Sequence, residues 1–469
     1  MDKGAFREWG YQFVDWVADY YDKVEALPVM PPVSPGEIKN RLPRKAPRKG
    51  EPMERIFQDF QQEILPGITH WQHPSWFAYF PANTSPPSVL AELLTAGIGA
   101  QCMIWQTSPA AAELEEVVLE WLRDMLGLPE GMAGVIQDTA STATLVALLT
   151  AREKATGYAS NQRGLEGAHS VYASEEAHSS VEKGVKIAGF GRENLRYIPT
   201  DGCFAMRPEK LEEAILEDTK RGIRPACVVG TLGTTSSTAV DPLRPIGEIC
   251  QKHGIWFHVD AAFAGTAAIL PEKRWILDGI EYVDSFVFNP HKWMLTNFDC
   301  SAYYVRDPEA LVRTFEIHPE YLKTRVDTQV RNFRDWGIQL GRRFRALKLW
   351  FVLRFYGLEG LQKIIREHIR LAEMFKGWVE KHPLFELMAP VPFSLVCFRL
   401  NDGRGEEELE VLNRALLDRI NKTGRLFLTH TSLGGKFVLR MAIGSRLTQE
   451  KHVRIAWEMM EAAAKDMSG

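Results

Sequence analysis

The sequence predicts an α/β fold, with a mostly parallel central sheet flanked by helices, an N-terminal helical segment and a small C-terminal α+β domain. Two observations carry this. Between about residues 85 and 310, helical stretches (Ala111–Leu126, Thr142–Thr156, Pro208–Asp218) alternate with short apolar runs (Cys227–Thr231, Trp256–Val259, Ser285–Phe288). Strands covered by helices on both faces read as continuous apolar runs, as these do. Second, 469 residues with 45% hydrophobic and 25% charged side chains can bury a large core, which excludes wholesale disorder.

The elements follow in order. Residues 3–24 predict an amphipathic helix, because Phe6, Trp9, Phe13, Val17 and Tyr20 recur at steps of three and four. Trp16 and Tyr21 widen its apolar face, which suits packing on another subunit as well as on its own core. The proline-rich run Pro28–Pro35 breaks the helix, and residues 28–52 read as an extended connector. Residues 1–84 therefore form a helical dimerisation segment and 85–365 the large α/β domain. Residues 311–335 are polar and weakly periodic and read as a mobile loop, at about 315–335, of the long kind that is often functional. Helices follow at Arg342–Phe355 and Leu361–His382. The C-terminal domain, 366–469, mixes strands (Leu395–Leu400, Lys436–Ile443) with helices (Glu406–Thr423, Gln449–Lys465).

Composition narrows the function. Lys and Arg total 56 and Asp and Glu 60, a net charge of −4, which argues against a general nucleic-acid binder. The cysteines at 102, 203, 227, 250, 300 and 397 form no CxxC pair and read as reduced core thiols of a cytoplasmic protein. The acidic N-terminus does not read as a signal peptide, and no apolar run approaches the roughly 18 residues of a membrane span. Walker A, GxGxxG, HExxH and GxSxG sequences are absent, and no metal site is expected.

Two segments point to chemistry. In WFHVDAAFAG (256–265) an apolar strand ends on Asp260 and small residues follow. A carboxylate there faces the ligand side of an open sheet, or else caps the next helix. In SFVFNPHKW (285–293) another strand ends, and Lys292 stands among aromatics. Apolar surroundings favour the neutral amine, which can form a Schiff base, although a lone lysine is more often a surface charge. A carboxylate and a lysine at two strand ends together suit pyridoxal phosphate. The lysine takes the aldehyde, and the carboxylate partners the pyridine nitrogen and keeps it protonated.

These residues lie in a longer series: HWQHPSWFAYFPA (70–82), SPAAAELEEVVLEWL (108–122), GVIQDTASTATLVALL (134–149), EEAHSSVEK (175–183), GTLGTTSS (230–237), HVDAAFAG (258–265), FNPHKWMLTNFDCSA (288–302), HPEYLK (318–323) and LGRRFRALKLWFVLR (340–354). In content and order the series resembles the group II pyridoxal-phosphate decarboxylases, most closely the aromatic L-amino-acid type.

The resemblance implies the fold-type I architecture of pyridoxal enzymes and a homodimer with active sites at the subunit interface. It implies that Lys292 carries the cofactor, Asp260 pairs with its ring nitrogen, Ala262 packs under the ring, His178 stacks over it, and Thr235 lies beside both. It places the phosphate on Thr139, Ala140 and Ser141, with Asn289 and His291 nearby. A helix N-terminus favours such an anion. Two residues depart from the family here: Asp138 stands for the usual Gly and Thr142 for the usual Glu. Tyr321 matches the loop tyrosine that returns a proton after CO2 leaves. That position is Phe in the related plant aldehyde synthases, and the stacked His is Asn in the insect ones. Trp71, Tyr79, Phe80, Pro81 and Ala82 match the wall of the side-chain pocket. Met103, where an aromatic is common, matches a segment reaching into the partner's site, and Gly341 matches a position that is Ser in histidine and plant tyrosine enzymes.

The expected reaction is decarboxylation of an aromatic L-amino acid, with tryptophan and L-DOPA favoured by the space at Gly341. The alternatives are an aromatic aldehyde synthase and an acidic amino-acid decarboxylase of the same family.

Overall fold

The computed structural model describes residues 1–317 and 329–468. Seven strands form the main sheet: β1 (Ala133–Gln137), β2 (His169–Ser174), β3 (Leu195–Ile198), β4 (Arg224–Thr231), β5 (Trp256–Asp260), β6 (Ser285–Phe288) and β7 (Ser301–Val305), in the order β1-β7-β6-β5-β4-β2-β3. All pairs are parallel except those of β7, which runs antiparallel to both β1 and β6. The two reversals cancel, so β1 points the same way as β2, β4, β5 and β6. Their five carboxyl ends open on one edge of the sheet, where ligands of open α/β sheets sit.

Helices cover both faces because their apolar stripes have no other place to go. Helix Pro109–Leu126 starts with proline in its first turn and ends at Gly127, whose φ of 78° closes the last turn. It buries Ala111, Ala112, Val118, Leu119, Leu122 and Leu126 along one face. Helix Ala140–Ala155 buries Ala143, Val146, Ala147 and Ala151, small enough to lie close to the sheet. A buried ion pair ties the layers: Arg342 donates to both carboxylate oxygens of Glu115 (3.1 and 2.6 Å) and to the Ile136 carbonyl (2.9 Å).

A second sheet, β8 (Phe385–Leu387), β9 (Leu395–Leu400), β10 (Thr429–Leu433) and β11 (Lys436–Ala442), is antiparallel in the order β10-β11-β9-β8. Helices Glu406–Asn421 and Glu450–Ser468 pack against it over a core of its own, including Phe375, Phe398, Leu416, Leu439 and Val453.

Several expectations need correction. The helices expected at 342–355 and 361–382 are one element, Arg345–Lys381, interrupted only at Gly357 (φ 64°). Glycine tolerates that conformation, so the apolar stripe continues past it. The polar stretch from 311 begins inside helix Pro308–Phe315, which Asp307 caps by accepting from the Ala310 N–H at 3.0 Å. The connector 28–52 contains a short helix, Glu37–Arg41. Cys203 is exposed rather than a core thiol, because it sits in a turn held by the Asp201 carboxylate.

Burial has a consequence for acid stability. His73, His258 and His368 are pushed down to about 4 and His291 to about 3, in each case mainly because burial disfavours the charged ring. In the unfolded chain these rings take a proton near pH 6.5. The unfolded state therefore binds more protons than the native state from there down to about pH 4. Stability is full above pH 6.5 and falls as pH falls through the window, by up to about 1.4 kcal/mol per pH unit for each ring. Urea unfolding should show a lower midpoint at pH 5 than at pH 7, and equal midpoints would contradict this.

Candidate active site

The segments that leave the carboxyl ends of β1, β2, β4, β5 and β6 carry most of the residues picked out in the sequence. Asp260 is the last residue of β5 and is buried. Its Oδ1 accepts from the Ala262 N–H at 3.0 Å, and its Oδ2 takes no donor among the described residues. The Ala262 carbonyl accepts from the Asn289 N–H at 3.0 Å, which ties the end of β5 to the end of β6. Ser301 donates to Asn289 Oδ1 at 2.5 Å, and the Asn289 amide donors find no acceptor among the described residues. His291 is buried and neutral, its Nδ1 accepting from the Cys300 N–H at 2.9 Å.

Lys292 lies in the single helical turn Pro290–Trp293 that follows β6. Its Nζ stands 5.4 Å from the centre of the Phe80 ring. Burial among such groups lowers its affinity for a proton, and Asp260 opposes that shift. The Asp260 carboxylate is thus close enough for its charge to act on the amine.

His178 follows β2 at the open rim. Its Nδ1 accepts from the Ser180 N–H at 3.1 Å, so the neutral ring carries its proton on Nε2. The surrounding protein mass lowers its pKa, Asp260 raises it and Lys292 lowers it further. Lys292, Asp260 and His178 therefore form one electrostatic unit. Thr235 follows β4 and is exposed, with its carbonyl accepting from Arg440 at 2.7 Å.

After β1, Thr139 caps helix Ala140–Ala155 by accepting from the Thr142 N–H at 3.4 Å. The N–H groups of Ala140 and Ser141 have no acceptor among the described residues. This open helix start, the free Asn289 amide and the unpaired Asp260 oxygen are what an anionic, ring-nitrogen cofactor with an aldehyde needs. The residues present fit pyridoxal phosphate.

The aromatic wall is built by the 70–82 segment. Phe80 is buried and stacks on Phe263 (4.0 Å, 13°), which stacks on Trp293 (4.6 Å, 13°). Trp71 and Tyr79 are exposed and stack on each other (5.8 Å, 13°). Tyr79 has φ 53°, a conformation that turns its ring outward while Phe80 points in. Pro81 is buried and Ala82 half-buried, and the Ala82 carbonyl accepts from Gln72 at 2.7 Å. Met103 and Gly341 form a second group: Arg342 N–H donates to Gln101 at 2.7 Å, and the Met103 carbonyl accepts from the Arg334 N–H at 2.8 Å. Tyr321 lies outside the described residues.

Two residues escaped the sequence reading. Asn83 donates to the Lys292 carbonyl at 2.9 Å and to the Gly444 carbonyl at 2.8 Å, and so fixes the lysine's backbone against the C-terminal unit. Arg440 is buried and donates to the carbonyls of Thr235 and Ser236 and to the Thr429 hydroxyl. The available signal was a polar residue inside an apolar run, at PANTS (81–85) and VLRMAI (438–443), since a buried polar group must find partners.

Comparison with known proteins agrees with this geometry. A family model described as the pyridoxal-dependent decarboxylase conserved domain matches residues 35–401. The chain is 47% identical to a phenylacetaldehyde synthase of Arabidopsis thaliana over 475 residues, covering 99% of this chain and 96% of that one. It is 46% identical to tryptophan decarboxylase 2 of Oryza sativa subsp. japonica over 486 residues, covering 100% and 96%. Among solved structures it superposes on Oryza sativa TDC with PLP and tryptamine at a TM-score of 0.97, with 39% identity over 100% of this chain and 99% of that one. With a family model spanning most of its length and relatives matched end to end, the chain belongs to the pyridoxal-dependent decarboxylase family.

Proposed function

We propose that this chain decarboxylates aromatic L-amino acids, tryptophan or L-DOPA among them, to the arylalkylamine and CO2. The observation that carries it is the Phe80 wall. Its ring centre stands 5.4 Å from the Lys292 amine and the ring continues the Phe263–Trp293 stack, which suits a flat apolar substrate side chain. The tryptophan decarboxylase relative supports the same reading.

Bound pyridoxal phosphate supplies an electron sink for the pair left behind by CO2. Asp260, with one carboxylate oxygen unpaired, would hold a proton at the ring nitrogen. Ala262 would leave space for the ring, and His178, with its proton on Nε2, would lie beside it. Lys292 would hold the cofactor's aldehyde. Thr139, Ala140 and Ser141 bind the phosphate, with Asn289 and His291 beside them, and Thr235 lines the ring near His178. Trp71, Tyr79, Phe80, Pro81 and Ala82 wall the substrate. Tyr321 returns a proton to the substrate α-carbon.

The phenylacetaldehyde synthase relative favours a second reading, decarboxylation with oxidative deamination. Against it, the chain keeps both Tyr321 and His178. Tyr321→Phe is expected to shift product from amine towards aldehyde, ammonia and peroxide with oxygen uptake. Unchanged amine yield would sink that role. The direct test of substrate is mass spectrometry of products from tryptophan, tyrosine, L-DOPA, phenylalanine, histidine and glutamate. Amines from the aromatic members support the proposal, and turnover of glutamate alone overturns it.

A homodimer with active sites at the interface completes the reading. Phe6 and Phe13 of helix Lys3–Lys23, and Leu90, Leu93 and Ile98 of helix Pro86–Ile98, are exposed large apolar groups that a second copy would cover. Across that interface Met103 and Gly341 would select among ring sizes. Sedimentation at monomer mass with full activity would contradict the dimer. Residues 1–84, 85–365 and 366–469 then serve as dimerisation segment, cofactor domain and small domain. Among the described residues no helix is long and apolar enough to cross a membrane. A cytoplasmic location without nucleic-acid or membrane partners fits the charge and the free cysteines.

A further inference from the structure

The start of helix Ala140–Ala155 offers open N–H groups at Ala140 and Ser141, yet a carboxylate stands directly before it. Asp138 Oδ1 accepts from the Thr139 N–H at 2.5 Å and from the Thr139 hydroxyl at 3.3 Å. It thus occupies a neighbouring N–H at the same helix start and sets a negative charge beside the place where a phosphate would bring two more. Arg345 feels the Asp138 charge, but its guanidinium donates to Asp299 at 2.8 and 3.4 Å. Among the described residues no cation forms an ion pair with Asp138 itself, the Arg345 guanidinium being hydrogen-bonded to Asp299.

We infer that Asp138 is an affinity-setting residue that weakens the grip of this helix start on the cofactor's phosphate. The chain would then lose and regain its cofactor with the free supply rather than hold it permanently. The inference rests on the proposed placement of the phosphate at Thr139–Ser141.

The test titrates full-length apoprotein with pyridoxal phosphate, and separately with pyridoxal, which lacks the phosphate. Binding is followed by absorbance and by the rise in melting temperature. Asp138→Asn keeps the shape and the hydrogen-bond acceptor without the charge, and Asp138→Gly removes both. Each should bind pyridoxal phosphate about five- to thirtyfold more tightly than the parent, with pyridoxal affinity unchanged. If Asp138→Gly folds poorly, Asp138→Asn alone decides. Equal or weaker pyridoxal phosphate binding by the variants, while Ser141→Ala loses affinity, overturns the role of Asp138 and leaves the phosphate placement standing. If Ser141→Ala and Thr139→Ala do not alter the preference for pyridoxal phosphate over pyridoxal, the phosphate lies elsewhere and both readings fall.

Discussion

Lys292→Ala is expected to lower turnover by about 10⁴-fold or more and to abolish the absorbance of the lysine-bound cofactor. Lys292 stands in a helical turn of only four residues, and Asn83 fixes its carbonyl from outside that turn. Its amine lies 5.4 Å from the Phe80 ring centre, where burial favours the neutral, nucleophilic form. Among the described residues Lys292 is the lysine whose amine acts on both Asp260 and His178. Melting temperature separates loss of chemistry from loss of fold. Turnover within tenfold of the parent, in folded protein, would show that the assignment of Lys292 is wrong.

The second large effect belongs to Asp260. Asn at this position keeps the volume, and its amide oxygen can still accept from the Ala262 N–H. What it loses is the charge proposed to hold a proton at the cofactor's ring nitrogen. Without that proton the ring is a poor electron sink, and kcat should fall by about 10²–10³-fold. The substrate's affinity should change less, since the aromatic wall does not involve Asp260. A KM rise with kcat preserved would assign Asp260 to substrate binding instead.

How far the sequence carries depends on which force shapes each part. The parallel strands β4, β5 and β6 were legible because they are apolar along their length. β2 was not picked out: its sequence HSVYAS is half polar yet wholly buried. Ser170, Tyr172 and Asp218 satisfy one another there, with hydroxyl contacts of 2.7 and 2.8 Å. Such long-range pairing leaves no periodic signal in the chain. The same limit hid Asn83 and Arg440, most of whose partners lie hundreds of residues away. Lys292 and Asp260 were legible because each follows an apolar strand directly. Their closeness in space comes from the parallel pairing of β5 and β6. The continuation of helix Arg345–Lys381 through Gly357 was obscured because a glycine at that point reads as a stop. The residues around Tyr321 carry a motif but fall outside the described residues, so its role rests on sequence alone.

The central claim is that the chain releases CO2 and returns a proton rather than oxidising the product. The measurement that tests it most directly follows amine, CO2, aldehyde and hydrogen peroxide together from L-tryptophan or L-DOPA with the holoenzyme in air. Amine formed in a one-to-one ratio with CO2, without peroxide, is the predicted result. Aldehyde and peroxide appearing in step with CO2, with little amine, would contradict it.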